Sequence, residues 1–299
     1  MSLSRRDFLA TSAVALGAAA IGRPALARAW QQQAPAATFT DIRRNVGFFT
    51  GRGGTIGYLV DANGIVVVDS QFPDSAKQCL DGLNQRSNSR PIDRLINTHH
   101  HGDHSAGNIA FKGSVKKVVA QENAAALIRS AAATTENLVP DSTFTDVWRE
   151  EVGNDWVRAK YYGRAHTSGD AVITFERANV AHMGDLMFNK RVPVIDRANG
   201  ALVGHWAQVL EAAAADHPND TIFIFGHAGG GSPVTGSKAD LMFFRDYLTA
   251  LINHARAAVK AGQSRDEYIN SSPTLQGFDA FGAHNARTLG ITFDEASEG

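Results

Sequence analysis

Thr98-His99-His100-His101-Gly102-Asp103-His104-Ser105-Ala106-Gly107-Asn108 crowds four histidines and an aspartate into one short turn. Imidazoles this close repel one another when protonated, so the cluster makes sense where another cation replaces the protons. A metal ion is that cation, and it needs further ligands that this stretch does not hold. The run follows directly on Ile92–Asn97, which reads as a buried strand. Ligands at the end of a buried strand are held by a rigid scaffold.

Working outward, short apolar runs separated by glycine-bearing turns surround the cluster. Residues 46–50, 55–60 and 65–69 read as strands, with Asp61-Ala62-Asn63-Gly64 as a hairpin turn. Residues 73–85 have helical spacing behind the helix-starting Pro73-Asp74-Ser75. Strands are expected at 115–120, 156–162, 171–176, 180–183 and 222–225, and helices at 124–133, 203–215 and 241–261. The alternation implies a layered α/β domain of sheets covered by helices, and periodicity alone does not choose between one sheet and two.

The 299 residues suffice for one large domain or two small ones. A net charge of -1 leaves no basic surplus for neutralising phosphates, which argues against nucleic acid as a partner. The single cysteine, Cys79, sits in an amphipathic segment and reads as a core thiol.

The N-terminus reads as a targeting segment. Ser4-Arg5-Arg6-Asp7-Phe8-Leu9 precedes an alanine-rich run, residues 10–21, too short to span a bilayer. Ala25-Leu26-Ala27 and Ala27-Arg28-Ala29 both offer a small-x-small cleavage pattern. The segment resembles a twin-arginine signal, with Ala10 where lysine is common. Residues 1–29 are thus expected to engage the twin-arginine export machinery and deliver the folded protein to the periplasm, without stable membrane insertion. Residues 30–37 read as a spacer and 38–299 as the functional domain.

Three later stretches place a metal-competent side chain beside glycine at a strand end. They are Gly163-Arg164-Ala165-His166-Thr167-Ser168-Gly169-Asp170, Met183-Gly184-Asp185-Leu186 and Phe225-Gly226-His227-Ala228-Gly229. With the opening run they resemble the metallo-β-lactamase superfamily, whose HxHxDH signature matches His99, His101, Asp103 and His104. His166, Asp185 and His227 match its later histidine, aspartate and histidine in order. The resemblance extends from about Val46 to about Ala261. It implies an αββα sandwich: two mixed β-sheets flanked by helices, with the metals at one edge.

The resemblance also implies the ligand sets. His99, His101 and His166 would hold a first ion, Asp103, His104 and His227 a second, and Asp185 would bridge them. Imidazole and carboxylate without thiolate suit two zinc ions, with manganese or iron as alternatives. A hydroxide bridging the ions would be the nucleophile, and Asp103 would orient it and shuttle a proton. Asp69 resembles the acidic residue that orients a ligand histidine. His100 reads as structural, His182 as a packed core residue, and His217 and His254 as solvated. His205-Trp206, Trp148 and Trp156 fit packing better than substrate contact. Asn189-Lys190-Arg191 follows the bridging aspartate and offers a cation for a substrate carboxylate.

The expected activity is cleavage of a small ester, lactone, thioester or β-lactam. Asp185 shifts the balance toward lactonase- and thioesterase-like relatives, since the β-lactamases of the family carry cysteine or serine there. A mononuclear iron enzyme resembling persulfide dioxygenases is one alternative, and a periplasmic metal- or ligand-binding relay without turnover is another.

Overall fold

The computed structural model describes residues 37–298. The signal segment and nearly all of the spacer read from the sequence lie outside the described residues. A first mixed sheet runs β1 (Thr38–Arg43), β2 (Val46–Thr50), β3 (Ile56–Asp61), β4 (Gly64–Val68), β5 (Ile92–Asn97), β6 (Val115–Gln121) and β7 (Ser142–Phe144) in spatial order. Pairing is antiparallel from β1 to β4 and parallel from β4 to β7. The second sheet starts with β8 (Val147–Val152), β9 (Asp155–Tyr161), β10 (Ala171–Phe175) and β11 (Val180–His182). It continues through β13 (Ile222–Ile224) to β15 (Thr235–Gly236), while β12 (Phe188–Asn189) and β14 (His227–Ala228) form a separate pair.

Burial explains the strands. β4 and β10 are buried along their whole length, because both of their faces are covered, and so read as continuous apolar runs rather than alternating ones. Val66, Val68, Ile96 and Val119 of the first sheet meet Val157, Ile173, Val180 and Ile224 of the second, forming the inner layer. On its other face the first sheet packs Tyr58, Val67 and Leu95 against Cys79, Leu80 and Leu83 of α1 (Pro73–Ser87). After α2 (Gly102–Ser105) and α3 (Glu122–Ala132), the outer layer of the second sheet is built by α4 (Val203–Ala215), α5 (Lys238–Lys260), α6 (Arg265–Asn270) and α7 (Ala286–Glu298). Trp206, Phe244, Tyr247 and Leu251 are fully buried there, each contributing roughly 1.5–3 kcal/mol over an exposed position. The chain is therefore the αββα sandwich. Among the described residues no helix is long and apolar enough to cross a membrane.

Helix ends follow local chemistry. Pro73 occupies the first turn of α1, where its missing N–H costs nothing, and Asn88 closes the helix at φ 53°. Ser237 and Asp240 form a capping box that starts α5 three residues earlier than periodicity indicated.

The structure adds β1, β7, β8, the short β12, β14 and β15, and helices α2, α6 and α7 to the elements read from the sequence. β8 (VWREEV) is an edge strand with alternate residues in water, so its charges mask it. His217, expected to be solvated, is instead 5% exposed. Its Nδ1–H donates to Ala213 O (2.7 Å), and Nε2 lies 2.9 Å from Thr174 Oγ1, so both ring nitrogens are satisfied inside. Cys79 and His182 are fully buried, as expected of core residues, and His254 is exposed.

Candidate metal centre

Four loops at one edge of the sandwich bring the seven residues named from the sequence together. β5 ends at Asn97, and the next residue, Thr98, is tied down by the Asp69 carboxylate, which accepts from Thr98 N (2.7 Å) and Thr98 Oγ1 (2.8 Å). His101 then precedes the single turn of α2, which carries Asp103 and His104, and Ser105 Oγ closes back on His100 O and His101 O. His166 stands between β9 and β10, where the Asp170 carboxylate accepts from Thr167 N and Oγ1 and fixes the turn. Asp185 follows β11. The tight turn there needs Gly184, at φ 51°, since a Cβ would lie 2.6 Å from Thr98 Oγ1. His227 opens β14 behind Gly226, whose N–H donates to Gly184 O.

Asp185 divides its two oxygens. Oδ2 faces His166 Nε2 (3.4 Å) and His99 Nε2 (3.9 Å), while Oδ1 faces His104 Nε2 (2.9 Å) and His227 Nε2 (3.3 Å). Asp103 Oδ2 completes the second group at 3.1 Å from His227 Nε2 and 3.8 Å from His104 Nε2. His99, His101, His166 and Asp185 thus form one metal-competent group, and Asp103, His104 and His227 another.

Ring tautomers follow from what holds the outer nitrogens. His166 Nδ1 is 2.8 Å from Val194 O, which can only accept, so Nδ1 carries the hydrogen. His101 Nε2 is 2.8 Å from Asp196 Oδ2. His99 Nδ1 is 3.0 Å from Thr98 Oγ1, whose hydrogen already points to Asp69, and His104 Nδ1 is 2.7 Å from Asp69 Oδ2. Each ring therefore donates outward, and those of His99, His101 and His166 turn a lone pair inward. His101 Nδ1 and His166 Nε2, 2.9 Å apart, are two lone pairs face to face, a contact that needs a cation between them. His99 Nε2 is buried without a hydrogen-bond partner. Tetrahedral zinc with ~2.0–2.1 Å bonds sets its ligands about 3.3 Å apart, which is the scale of these separations. The residues fit a metal.

Electrostatics point the same way. Burial drives His99 well below the usual histidine value and His166 down to about 3, so neither readily carries a proton. Burial also opposes charge on His104, yet the carboxylates of Asp185 and Asp69 hold it well above the usual value. His227 is likewise raised to about 9, against burial, by Asp185 and Asp103. Burial works against Asp185, and His104 and His227 still hold it well below the carboxylate range. In the metal-free chain, protons on His104 and His227 stand in for cations, and metal binding must release them.

The family description "Metallo-beta-lactamase superfamily" matches residues 49–227, from β2 through His227. The chain belongs to the metallo-beta-lactamase superfamily. That membership makes it a metallohydrolase. It is 24% identical over 180 residues to metallo-beta-lactamase IND-1 of Chryseobacterium indologenes, covering 58% of this chain and 72% of that protein. It is 27% identical over 128 residues to the 2,4-dinitroanisole O-demethylase subunit alpha of Nocardioides sp. (strain JS1661), covering 42% and 38%. Among solved structures, the metallo-beta-lactamase from Pontibacter korlensis aligns with a TM-score of 0.61 at 19% identity, over 71% of this chain and 99% of that one. The sec-alkylsulfatase Pisa1 from Pseudomonas sp. aligns with a TM-score of 0.68 at 16% identity, over 86% and 50%. Both share the fold of this superfamily member.

A cavity of about 630 Å³ opens above the centre of this metallo-beta-lactamase-fold chain. Asp103, Asp185, His101 and His227 form its floor, and Phe72, Phe188 and Val194 its apolar walls. Arg191 and Arg287 also line it, and neither finds a hydrogen-bond or ion-pair partner among the described residues. Arg191 was singled out in the sequence. Arg287, on α7, was not, because that helix lies beyond the stretch that resembles the superfamily. Asp196 was also missed: an aspartate in a loop of low periodicity carries no local signal of the histidine it meets 95 residues away. His100 turns to the same carboxylate, with Nε2 3.5 Å from Asp196 Oδ2. Trp206 packs, and its Nε1–H donates to Leu186 O beside the Asp185 turn.

Proposed function

We propose that the chain is a dinuclear zinc hydrolase that cleaves a small ester, lactone, thioester or β-lactam after twin-arginine export to the periplasm. The division of Asp185 between two histidine groups carries this reading, because a carboxylate with one oxygen toward each group is built to lie between two ions. His99, His101 and His166 would hold the first ion and Asp103, His104 and His227 the second. The thiolate-free donor set favours zinc, with manganese or iron as alternatives. When bound, two such ions acidify a shared water toward ~7 and polarise a carbonyl.

The chain's own groups do the rest. Asp103, with its side chain 30% exposed at the cavity floor, accepts a proton and returns it to the leaving group. Phe72, Phe188 and Val194 shelter an apolar portion of substrate from water. Arg191 and Arg287 attract a carboxylate or similar anion on the same molecule.

The test is a hydrolysis panel on metal-loaded protein lacking residues 1–29, covering lactones, β-lactams, thioesters, sulfate esters and phosphodiesters, with elemental analysis in parallel. Two zinc ions per chain and turnover of one acyl class are expected. One tightly held iron would replace the hydrolase by the dioxygenase-like reading. Two bound ions with no turnover across the panel would leave the relay.

A further inference from the structure

The outer nitrogens of two first-group histidines are held by one short segment, three residues long. His166 Nδ1–H donates to Val194 O, and His101 Nε2–H donates to Asp196 Oδ2, both at 2.8 Å. The second group is braced from elsewhere, through Asp69 on His104. Asp196 is itself held: Asn199 Nδ2 donates to Oδ2 (2.8 Å) and Asn199 N to Oδ1 (3.3 Å), and the residue is 8% exposed. His101 is the ring that most needs such help. Its side chain is 22% exposed at the cavity floor, whereas those of His99 and His166 are fully enclosed by packing. Of the first-group rings, only His101 turns Nδ1 rather than Nε2 inward, so a tautomer change would remove its lone pair from the centre.

We infer that Asp196 is the positioning residue of the first metal group, fixing His101 as the Nε2–H tautomer, while Asp69 holds His104 in the second as the Nδ1–H form. The inference rests on the metal-binding reading above. Its content is that Asp196 acts on the first group alone, through His101, so the first ion can be weakened without the second, whereas Asp69 reaches His104 directly and His99 through Thr98 Oγ1. The cluster of His100, His101 and Asp196 is then no third ion site, because the proton on His101 Nε2 occupies the position a third ion would need.

The experiment is a zinc titration of the metal-free protein against a competing chelator, with long-range imidazole nitrogen–proton spectra of each loaded form. Asp196→Ala should weaken one ion by roughly 10–100-fold, the usual cost of losing a group that orients a ligand, and leave the other nearly unchanged. The spectra should show the loss at His99, His101 and His166, with His101 no longer held as the Nε2–H form. Asp196→Asn keeps an acceptor for His101 and should recover most of the affinity and the wild-type His101 signal. Asp69→Ala should instead weaken both ions, because it releases His104 directly and His99 through Thr98 Oγ1. Should the alanine variant not fold, judged by thermal melting of the metal-free form, the asparagine spectrum decides alone. Equal weakening of both ions by Asp196→Ala, unchanged His101 signals, or a third zinc lost with Asp196 would each overturn the inference. A wild-type chain binding a single ion would instead sink the dinuclear reading, and the His101 signal would still judge Asp196.

Discussion

Gly54 provides a steric probe of the proposed second ion site that alters no ligand. A Cβ built there would lie 2.1 Å from His104 Cε1 and 2.3 Å from Nε2, where ordinary contact begins at 3.4 Å. Either the ring retreats by at least 1.3 Å or the backbone of Gly54 moves. The backbone is pinned, since its N–H donates to Asp103 O (3.0 Å) and its carbonyl accepts from Gln71 Nε2. The ring is backed by Asp69 at 2.7 Å, with both residues fully buried. Overpacking of this kind costs about 1–3 kcal/mol, or roughly 2–12 °C in Tm for a chain of this size. Metal sites tolerate only about 0.2 Å in ligand distance, so on the dinuclear zinc reading proposed above Gly54→Ala should hold one ion instead of two, with hydrolysis falling in step. Gly54 has no positive φ, so alanine is compatible with the backbone and the effect isolates the clash. Differential scanning calorimetry of the metal-free variant and elemental analysis after dialysis are the assays. A Gly54→Ala protein that melts like wild type and keeps both ions would refute the placement of His104 against this strand end.

Arg191→Ala and Arg287→Ala should each raise KM for a carboxylate-bearing ester by about fivefold (roughly 1 kcal/mol for an exposed ion pair) and leave kcat unchanged. A neutral ester of the same length should show no change, and equal effects on both esters would remove the anion role. His217 is held neutral: burial pushes its pKa below the usual value, Arg158 and Lys160 add to this, and Ala213 O and Asp216 oppose it. The unfolded chain takes up a proton at about 6.5 that the folded one refuses, so this contribution is complete above that pH and declines as pH falls through it. Denaturant titrations at pH 7.5 and 5.5 should show a smaller acid loss in His217→Gln than in wild type, and identical losses would show that the ring is not the source. Replacing Arg5 and Arg6 by lysine should strand the precursor in the cytoplasm, and unchanged periplasmic yield would refute twin-arginine export.

The candidate centre was unusually legible because its ligands are chemically rare and sit at strand ends that announce themselves. β5 places the apolar Leu95 and Ile96, both fully buried, just before Asn97, and the histidine run starts directly after it. What stayed hidden is what depends on tertiary contact. β8 carries arginine and glutamates on an edge, and α7 mixes glycine and threonines into its buried face. Each becomes regular only against a partner, so neither shows a clean period. His217 was misjudged because a histidine before proline looks like turn chemistry, while its two buried partners lie 4 and 43 residues away. Asp196 and Arg287 were invisible for the same reason: their meaning comes from what they face.

The chain leaves the first sheet at Phe144 and enters the second at Val147, and no later strand returns to the first sheet. His99, His101, Asp103 and His104 thus belong to one contiguous half, and His166, Asp185 and His227 to the other. Each metal group draws donors from both halves. Thr145 and Asp146, both exposed, make a natural point at which to cut. Expressed as two polypeptides, residues 38–144 and 147–298 should reassemble along the shared apolar layer only weakly until zinc is added. The metal centre then doubles as a clasp, and the cut protein as a zinc-gated complementation pair whose recovered hydrolysis reports the ion that joins it.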